Sequence, residues 1–284
     1  MTQEKFVSWE AAVDWLVAQP DQQELVRACY YDRPVERAAE RYWQSHEWQA
    51  IRRLLPAANS GRALDVGAGS GISSYALSRD GWTVTALEPD ASALVGAGSI
   101  RRIATGQQLP ITVIEEFGER IAVDSSSYDI VHARQVLHHA RDLPQFCREL
   151  FRVLKPGGVL VTTRDHVISN AAQLPEFLAI HPLHRYYGGE NAFQLREYRQ
   201  ALLAAGFEIR RQLGPFDSEI NFAPRSVDDL RNELALRLRR LPAGGLWAAL
   251  LKSDLVFGAT RRLLSRLDRR PGRLFSFVAV KPER

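Results

Sequence analysis

This sequence predicts an α/β fold built on a parallel sheet, and three observations carry the prediction. Five short apolar runs, "ALDVG", "TVTALEP", "ITVIEE", "YDIVHA" and "GVLVTTR", alternate with helical stretches between residues 63 and 164, the rhythm of βαβ units. The first run stops at Gly67, Gly69 and Gly71, spaced two apart, as a strand does when bare backbone must precede a helix. A chain of 284 residues, 45% hydrophobic, can bury one large core, or one core with an insertion.

Residues 1–60 are expected to form an N-terminal helical cap. Val13, Leu16 and Val17 make one apolar stripe, and Trp43, Trp48, Ile51 and Leu55 fall on later ones, so two or three helices precede the turn "PAANSGR". The alternating core follows over 61–224. It includes the helix "LREYRQALLAAGF", stopped by Gly206, and the strand "FEIRRQL". Over 225–273 the alternation gives way to a helical insertion. Val227, Leu230, Leu234, Leu238 and Leu241 make its first stripe; after "PAGG", Leu246, Leu250, Phe257, Leu264 and Leu267 make its second. The run "RLFSFVAVKP" then returns residues 274–284 to the core as its final strand.

Charge is unevenly spread. The chain totals +4, yet 225–273 holds twelve Lys or Arg against five Asp or Glu, a net of +7 that leaves −3 for the rest. Such a segment suits the surface of an anionic membrane, or a cap over the sheet whose arginine stems cover apolar area. No apolar run reaches 18 residues, and the N-terminus lacks the basic-then-apolar pattern of a secretory signal. Cys29 and Cys147 lie far apart and match no metal or C-x-x-C pattern, which suits a reducing compartment. The expectation is a cytoplasmic protein, peripheral to the inner membrane face if the basic segment meets lipid, with no metal.

A strand that ends at glycines leaves the first N–H groups of the next helix free to face a ligand. Glu88 ends the following strand, 21 positions after Gly67, where an acid accepts both hydroxyls of a ribose. The pair predicts a nucleoside-bearing ligand. In the dinucleotide fingerprint G-x-G-x-x-G the third glycine would fall on Ile72, and no phosphate-binding lysine follows the loop. Nicotinamide and P-loop patterns therefore both fit poorly.

With Asp65 two residues ahead of Gly67, "ALDVGAGSG" resembles the first motif of the class I S-adenosylmethionine-dependent methyltransferases. "SSSYDIVHARQVLHHARD", residues 125–142, resembles their fourth-strand segment. "FCRELFRVLKPGGVLVTT", residues 146–163, is similar to the helix, turn and fifth strand of their small-molecule branch. The resemblance implies a Rossmann-like, seven-stranded, mostly parallel sheet whose last strand runs antiparallel. It also implies S-adenosyl-L-methionine as cofactor. Asp65, Gly67, Ala68, Gly69 and Gly71 would line the donor, with Glu88 and Pro89 at its ribose. One stretch departs from the family, which carries an Asp after the third strand: Phe117 stands there, with Gly118 beside it and Glu116 before it. Phe117 can stack on the purine, a backbone N–H of Gly118 or Glu119 can reach a ring nitrogen, and Glu116 can take the amino group.

Methyl transfer from a sulfonium is an in-line displacement, so aligning donor and acceptor is the main task. An oxygen acceptor also needs a base. The fourth strand leads into Arg134, Gln135, His138 and His139, and the fifth into Arg164, Asp165 and His166. His138 and His139 are the candidate bases, since histidine titrates near neutrality; packing or a backbone hydrogen bond is the competing role for either ring. Arg134 and Gln135 are placed on the donor's sulfonium side. Asp165 and His166 face the acceptor, joined by His184, Tyr186 and Tyr187 from the segment "HPLHRYYGGEN", residues 181–191. No N-P-P-Y or D-P-P-Y motif follows the fourth strand, and Cys147 lies within a helical pattern, so no nucleic-acid partner is expected. O-methylation of a small molecule, a sugar or a lipid-linked precursor is the expected reaction. A non-catalytic relative that only binds the donor and a nicotinamide oxidoreductase are the competing readings.

Overall fold

The computed structural model describes residues 8–57, 61–184 and 186–283. The first seven residues and residues 58–60 of the predicted turn lie outside the described residues. Four helices come first: α1 (Trp9–Ala18), α2 (Gln23–Ala28), α3 (Val35–Gln44) and α4 (His46–Arg52). The periodicity predicts two or three, and the extra breaks have local causes. A 3-10 turn at Pro20–Gln22 parts α1 from α2, and Ser45 ends α3 while its side chain caps α4 at the Trp48 N–H.

The alternating core then runs β1 (Arg62–Val66), α5 (Ile72–Arg79), β2 (Thr83–Leu87), α6 (Ala97–Gly106), β3 (Ile111–Ile114) and β4 (Tyr128–Arg134). It continues with α7 (Leu143–Val153), β5 (Leu154–Ile168), α8 (Gln173–Ile180), the two-residue β6 (Phe193–Gln194), α9 (Leu195–Ala204) and β7 (Glu208–Leu213). A short α10 (Glu219–Phe222) follows, then the segment 225–273 forms α11 (Val227–Leu238), α12 (Gly244–Leu250) and α13 (Asp254–Leu267), before β8 (Arg273–Val280).

The main path of the sheet is β3-β2-β1-β4-β5-β8-β7, with β6 beside the end of β5. Pairs from β3 to β5 are parallel, and β8 is antiparallel to both β5 and β7. The mostly parallel sheet with an antiparallel last strand is therefore present; β6 is an addition too short to leave a periodic signal. From β1 the chain works outward to β3 and then returns to β4, so the order reverses between β1 and β4. Ligands of open α/β sheets bind at the carboxyl ends of strands beside such a reversal.

β1 and β2 bury four of their five residues each, because helices cover both faces of the sheet. On one face Phe146, Leu150 and Tyr198 of α7 and α9 pack on Leu64, Val131 and Phe277. On the other, Tyr42, Trp48 and Leu77 of α3, α4 and α5 pack on Ala63, Val84 and Ile130. The helices of 1–60 thus divide: α3 and α4 belong to a core layer, whereas α1 and α2 form a small cluster of their own around Leu16, Val26 and Leu183. Asp80, just past α5, accepts from the indole N–H groups of Trp43 and Trp48 (2.8 and 2.9 Å) and from Arg52, fastening α3 and α4 to the core.

In the insertion, Leu230, Leu251 and Phe257 gather with Phe222 into a minor core. Leu241, Leu246, Leu250 and Leu267 of the predicted stripes are exposed instead. The second stripe presumes one continuous helix, but the chain breaks between α12 and α13, so the period does not carry across. No helix among the described residues is long and apolar enough to cross a membrane.

Candidate functional site

Gly67, Gly69 and Gly71 all take left-handed φ values, 60°, 55° and 94°, and they are bare for different reasons. A Cβ on Gly67 would run into Val136 at 2.4 Å, whereas one on Gly69 would meet nothing nearer than 4.0 Å. Gly67 serves packing and Gly69 faces open space. The Gly69 N–H donates to Glu88 Oε2 (2.7 Å), and the Asp90 N–H donates to Oε1 (2.9 Å). These two bonds orient the carboxylate and leave each oxygen a lone pair. Burial, partly offset by the same bonds, pushes the Glu88 carboxyl up to about 7.

Asp65 is placed differently from a ligand contact. It is fully buried, its Oδ2 accepting from the hydroxyls of Ser73 and Ser74 (2.8 and 2.6 Å) and its Oδ1 meeting His132 Nδ1 at 3.0 Å. It ties the end of β1 to the first turn of α5 and to β4, and so acts on a ligand only through the shape of the loop. Ala68 packs inward with Ala86 and Ile100, and Pro89 is exposed.

After β3, Phe117 presents a ring that is 56% exposed, with the Arg141 guanidinium 5.1 Å over it. Its neighbours are occupied. The Glu116 carboxylate accepts from the Ala122 N–H (2.8 Å), holding its own turn. A Cβ on Gly118 would fall 2.0 Å from the Phe146 ring, so close packing of α7 accounts for that glycine.

Arg134, expected near the sulfonium, turns to Glu47 of α4 (Nε to Oε1, 2.7 Å; Nη2 to Oε2, 3.2 Å), while its Nη1 donates to Gln135 Oε1 at 2.9 Å. Arg164 Nη1 approaches the same Glu47 carboxylate at 3.8 Å. Burial resists the charge on Glu47, but the two guanidiniums prevail and hold its carboxyl below the usual range. Arg134 is thereby a buried brace between β4 and the N-terminal helices. Gln135, at φ 55°, turns the chain where β4 ends.

The histidines converge. His138 is buried, its Nδ1 3.1 Å from Asp165 Oδ1 and its Nε2 3.5 Å from Glu190 Oε2. His139 Nδ1 donates to Gly189 O (3.0 Å) on a side chain 43% exposed. His166 Nδ1 donates to Gly272 O (2.9 Å), and His181 Nδ1 lies 3.9 Å from Glu190 Oε1. The His166 ring stacks edge-on against those of His138 and His181, with centroids 4.7 and 5.1 Å apart. Burial opposes charging His138, yet its bonds to Asp165 and Glu190 prevail and raise it to about 9. Glu190 is drawn down to about 2 against its own burial, chiefly by its bond to His138. His139 and His166 are both lowered, by burial first and by His138 second.

The remaining acceptor-side expectations scatter. Asp165 and His166 join the cluster, and the His184 N–H reaches His181 Nδ1 at 3.3 Å. Tyr186 and Tyr187 pack instead on Trp15 and Trp9 of α1, with centroids 4.9 and 5.9 Å apart. Three residues of the site escape sequence reading: Glu47, His181 and Glu190. The unusual richness of 181–191 in His, Gly and aromatic residues marks the segment that holds two of them. Nothing near Glu47 in sequence announces its partners, 87 residues away at Arg134.

Three comparisons place this geometry among known proteins. A family model described as a methyltransferase domain matches residues 35–212. The ubiquinone biosynthesis O-methyltransferase of Rhizobium leguminosarum bv. trifolii (strain WSM2304) is 28% identical over 162 residues, 55% of this chain and 62% of that protein. The malonyl-[acyl-carrier protein] O-methyltransferase of Enterobacter lignolyticus (strain SCF1) is 35% identical over 132 residues, 45% of this chain and 50% of that one. The chain thus spans less than two thirds of the curated relatives it matches. Among solved structures, the [4+2]-cyclase SpnF superposes with a TM-score of 0.53 at 21% identity, covering 87% of this chain and 81% of its own.

Proposed function

This chain belongs to the class I S-adenosylmethionine-dependent methyltransferases, and we propose that it carries a methyl group from S-adenosylmethionine to an oxygen of a small, sugar or lipid-linked acceptor. The observation that carries the reading is the Glu88 carboxylate, fixed by the Gly69 and Asp90 N–H groups beside a glycine that faces open space. Two oriented oxygens, each with a free lone pair, suit the two hydroxyls of a ribose. Bound there, the donor supplies an activated methyl on a sulfonium. Phe117 offers its exposed ring to the purine, and Asp65 keeps the loop in shape. His139 is the acceptor-side base: the Gly189 carbonyl holds its Nδ1–H, which leaves the Nε2 lone pair on a half-exposed ring. His138 is locked between Asp165 and Glu190 and serves to position. Oxygen as the attacked atom draws support from two relatives named as O-methyltransferases.

A cyclase shares this fold, so donor binding alone does not decide for methyl transfer. Calorimetry should show S-adenosylmethionine binding in the micromolar range, about −8 kcal/mol. Binding of NADH without the sulfonium donor would overturn the reading. His139→Ala should keep that affinity and lose about 10²–10⁴ in turnover across a panel of hydroxylated and lipid-linked acceptors. Unchanged turnover would remove His139 from the mechanism.

Exposure favours a membrane surface as the second partner. Of the large hydrophobic side chains left exposed, eight fall within 225–273, among them Leu246, Trp247, Leu255 and Leu263. Exposed apolar groups flanked by arginines are how a helix seats in an anionic leaflet. Arg262, Arg266 and Arg269 are exposed on and just past α13, and each cation near such a surface contributes about 1 kcal/mol. Reversing all three to Glu should abolish co-sedimentation with anionic vesicles and spare donor affinity. No vesicle binding by the unaltered protein would leave the segment as a cap alone.

A further inference from the structure

We infer that the histidine cluster is a binding site for one divalent transition-metal ion, with His166, His181 and Glu190 as its protein ligands. The sequence shows no such pattern, because the three residues come from β5, the end of α8 and the loop before β6. In the fold, one potential ligand atom from each lies within 4.8 Å of the other two.

The hydrogen bonds around the rings are those of a metal site. A backbone carbonyl, that of Gly272, accepts from His166 Nδ1, so the proton is fixed there and the Nε2 lone pair is free. Metal-bound histidines are oriented in this way, with the second nitrogen donating to a carbonyl or carboxylate. His138 is held likewise by Asp165 and stands 3.5 Å from Glu190, where it positions the carboxylate. His181 faces Glu190 through Nδ1 (3.9 Å), which otherwise takes only the long 3.3 Å contact from the His184 N–H.

Charge points the same way. Asp165 Oδ2 is buried and has no hydrogen-bond partner, and Glu190 Oε2 has only the approaches of His138 Nε2 (3.5 Å) and His139 Nε2 (3.9 Å); the Glu190 side chain is only 10% exposed. Buried carboxylate oxygens with no donor are costly, and a divalent ion ligated by Glu190 would supply the missing partner.

Dimensions are compatible. Ligand atoms on a tetrahedral ion at about 2.0–2.1 Å stand about 3.4 Å apart, so the present spacing needs a modest contraction. Gly188 and Gly189 precede Glu190 with φ values of 97° and 79° and no neighbour within 4 Å of a built Cβ, so no packed neighbour stands against that contraction at either glycine. Two imidazoles and a carboxylate suit zinc or another borderline ion rather than magnesium or calcium. Three ligands also leave a coordination position open, the pattern of sites that bind an outside oxygen.

The readout needs no methyl donor, so this inference and the methyl-transfer reading can fail separately. The full chain, stripped with a chelator and dialysed, is titrated with Zn²⁺ by calorimetry. One ion per chain is expected, with affinity at least 100-fold weaker in Glu190→Gln and His181→Ala and unchanged in His46→Ala, whose ring is on the surface. Because either variant can lose its fold, Co²⁺ added to the unaltered protein gives an independent measure: visible absorption of tetrahedral intensity is expected. Weak, multi-site zinc binding, variants that bind as tightly as the parent, or a Co²⁺ spectrum of the hexaaqua ion would each overturn the assignment.

Discussion

The glycine-loop side and the histidine side of the candidate site are built by different means. The glycine-loop side is one continuous stretch, residues 65–90, and the groups it presents are backbone N–H groups and a single carboxylate. The histidine side draws on residues 138–139, 165–166, 181–190 and Gly272, and the groups it presents are side chains. A site made by bending one strand end survives wherever that bend survives. A site made of side chains from three segments, with a backbone carbonyl from a fourth, exists only once the whole sheet edge is assembled.

The largest expected effect tests how firmly the glycine-loop side is anchored. Asp65→Ala removes the acceptor of three buried groups, Ser73, Ser74 and His132, and should cost about 3–5 kcal/mol of folding stability. Urea unfolding measures it. A loss below about 1 kcal/mol would mean that the loop holds its shape without this anchor, and the contrast between the two sides would lose its basis.

Next in size is Glu88→Ala. Removal of two charge-assisted bonds to a ribose should weaken donor binding by about 2–4 kcal/mol and leave zinc binding at the histidines unaltered. A variant that loses both would show that the two sides are one cooperative unit.

The smallest effect sharpens the contrast through pH. With Glu88 at about 7 and the ionised form required, donor affinity should fall about tenfold between pH 8 and pH 6, about 1.4 kcal/mol. Glu88→Gln should flatten that profile, and a wild-type profile already flat would detach Glu88 from the donor. Folding stability carries the opposite sign. A carboxyl whose folded value lies above its ordinary 4.5 holds a proton more tightly when folded. Its contribution is therefore complete below 4.5 and is lost as pH rises through about 7.

The same contrast explains what could be read from the sequence. The strands, the glycine bend and the place of Glu88 just past β2 were legible because their signals are local: an apolar run, a bend, an acid one strand later. The antiparallel last strand was legible through family resemblance, and the run "RLFSFVAVKP" supplied it as β8. The role of Asp65 was half legible. Its position is fixed by the motif, but its partners eight, nine and 67 residues away turn it inward. Arg134 turns from the expected donor side for the same reason, since Glu47 claims it from a helix with no sequence link to β4. The second leucine stripe failed because a period cannot reveal where one helix stops and the next begins.

Helix α1 touches both the loop that follows Glu88 and the segment that carries Glu190. Glu10 accepts from the Leu94 N–H (2.9 Å) in the loop after β2, while Trp9 and Trp15 pack on Tyr187 and Tyr186 of the segment that carries Glu190. A ligand on one side that favours one seating of α1 biases the other side, and the coupling free energy is the same read in either direction. Titrating the nucleoside ligand with and without zinc would give that number, and titrating zinc with and without the nucleoside must return it.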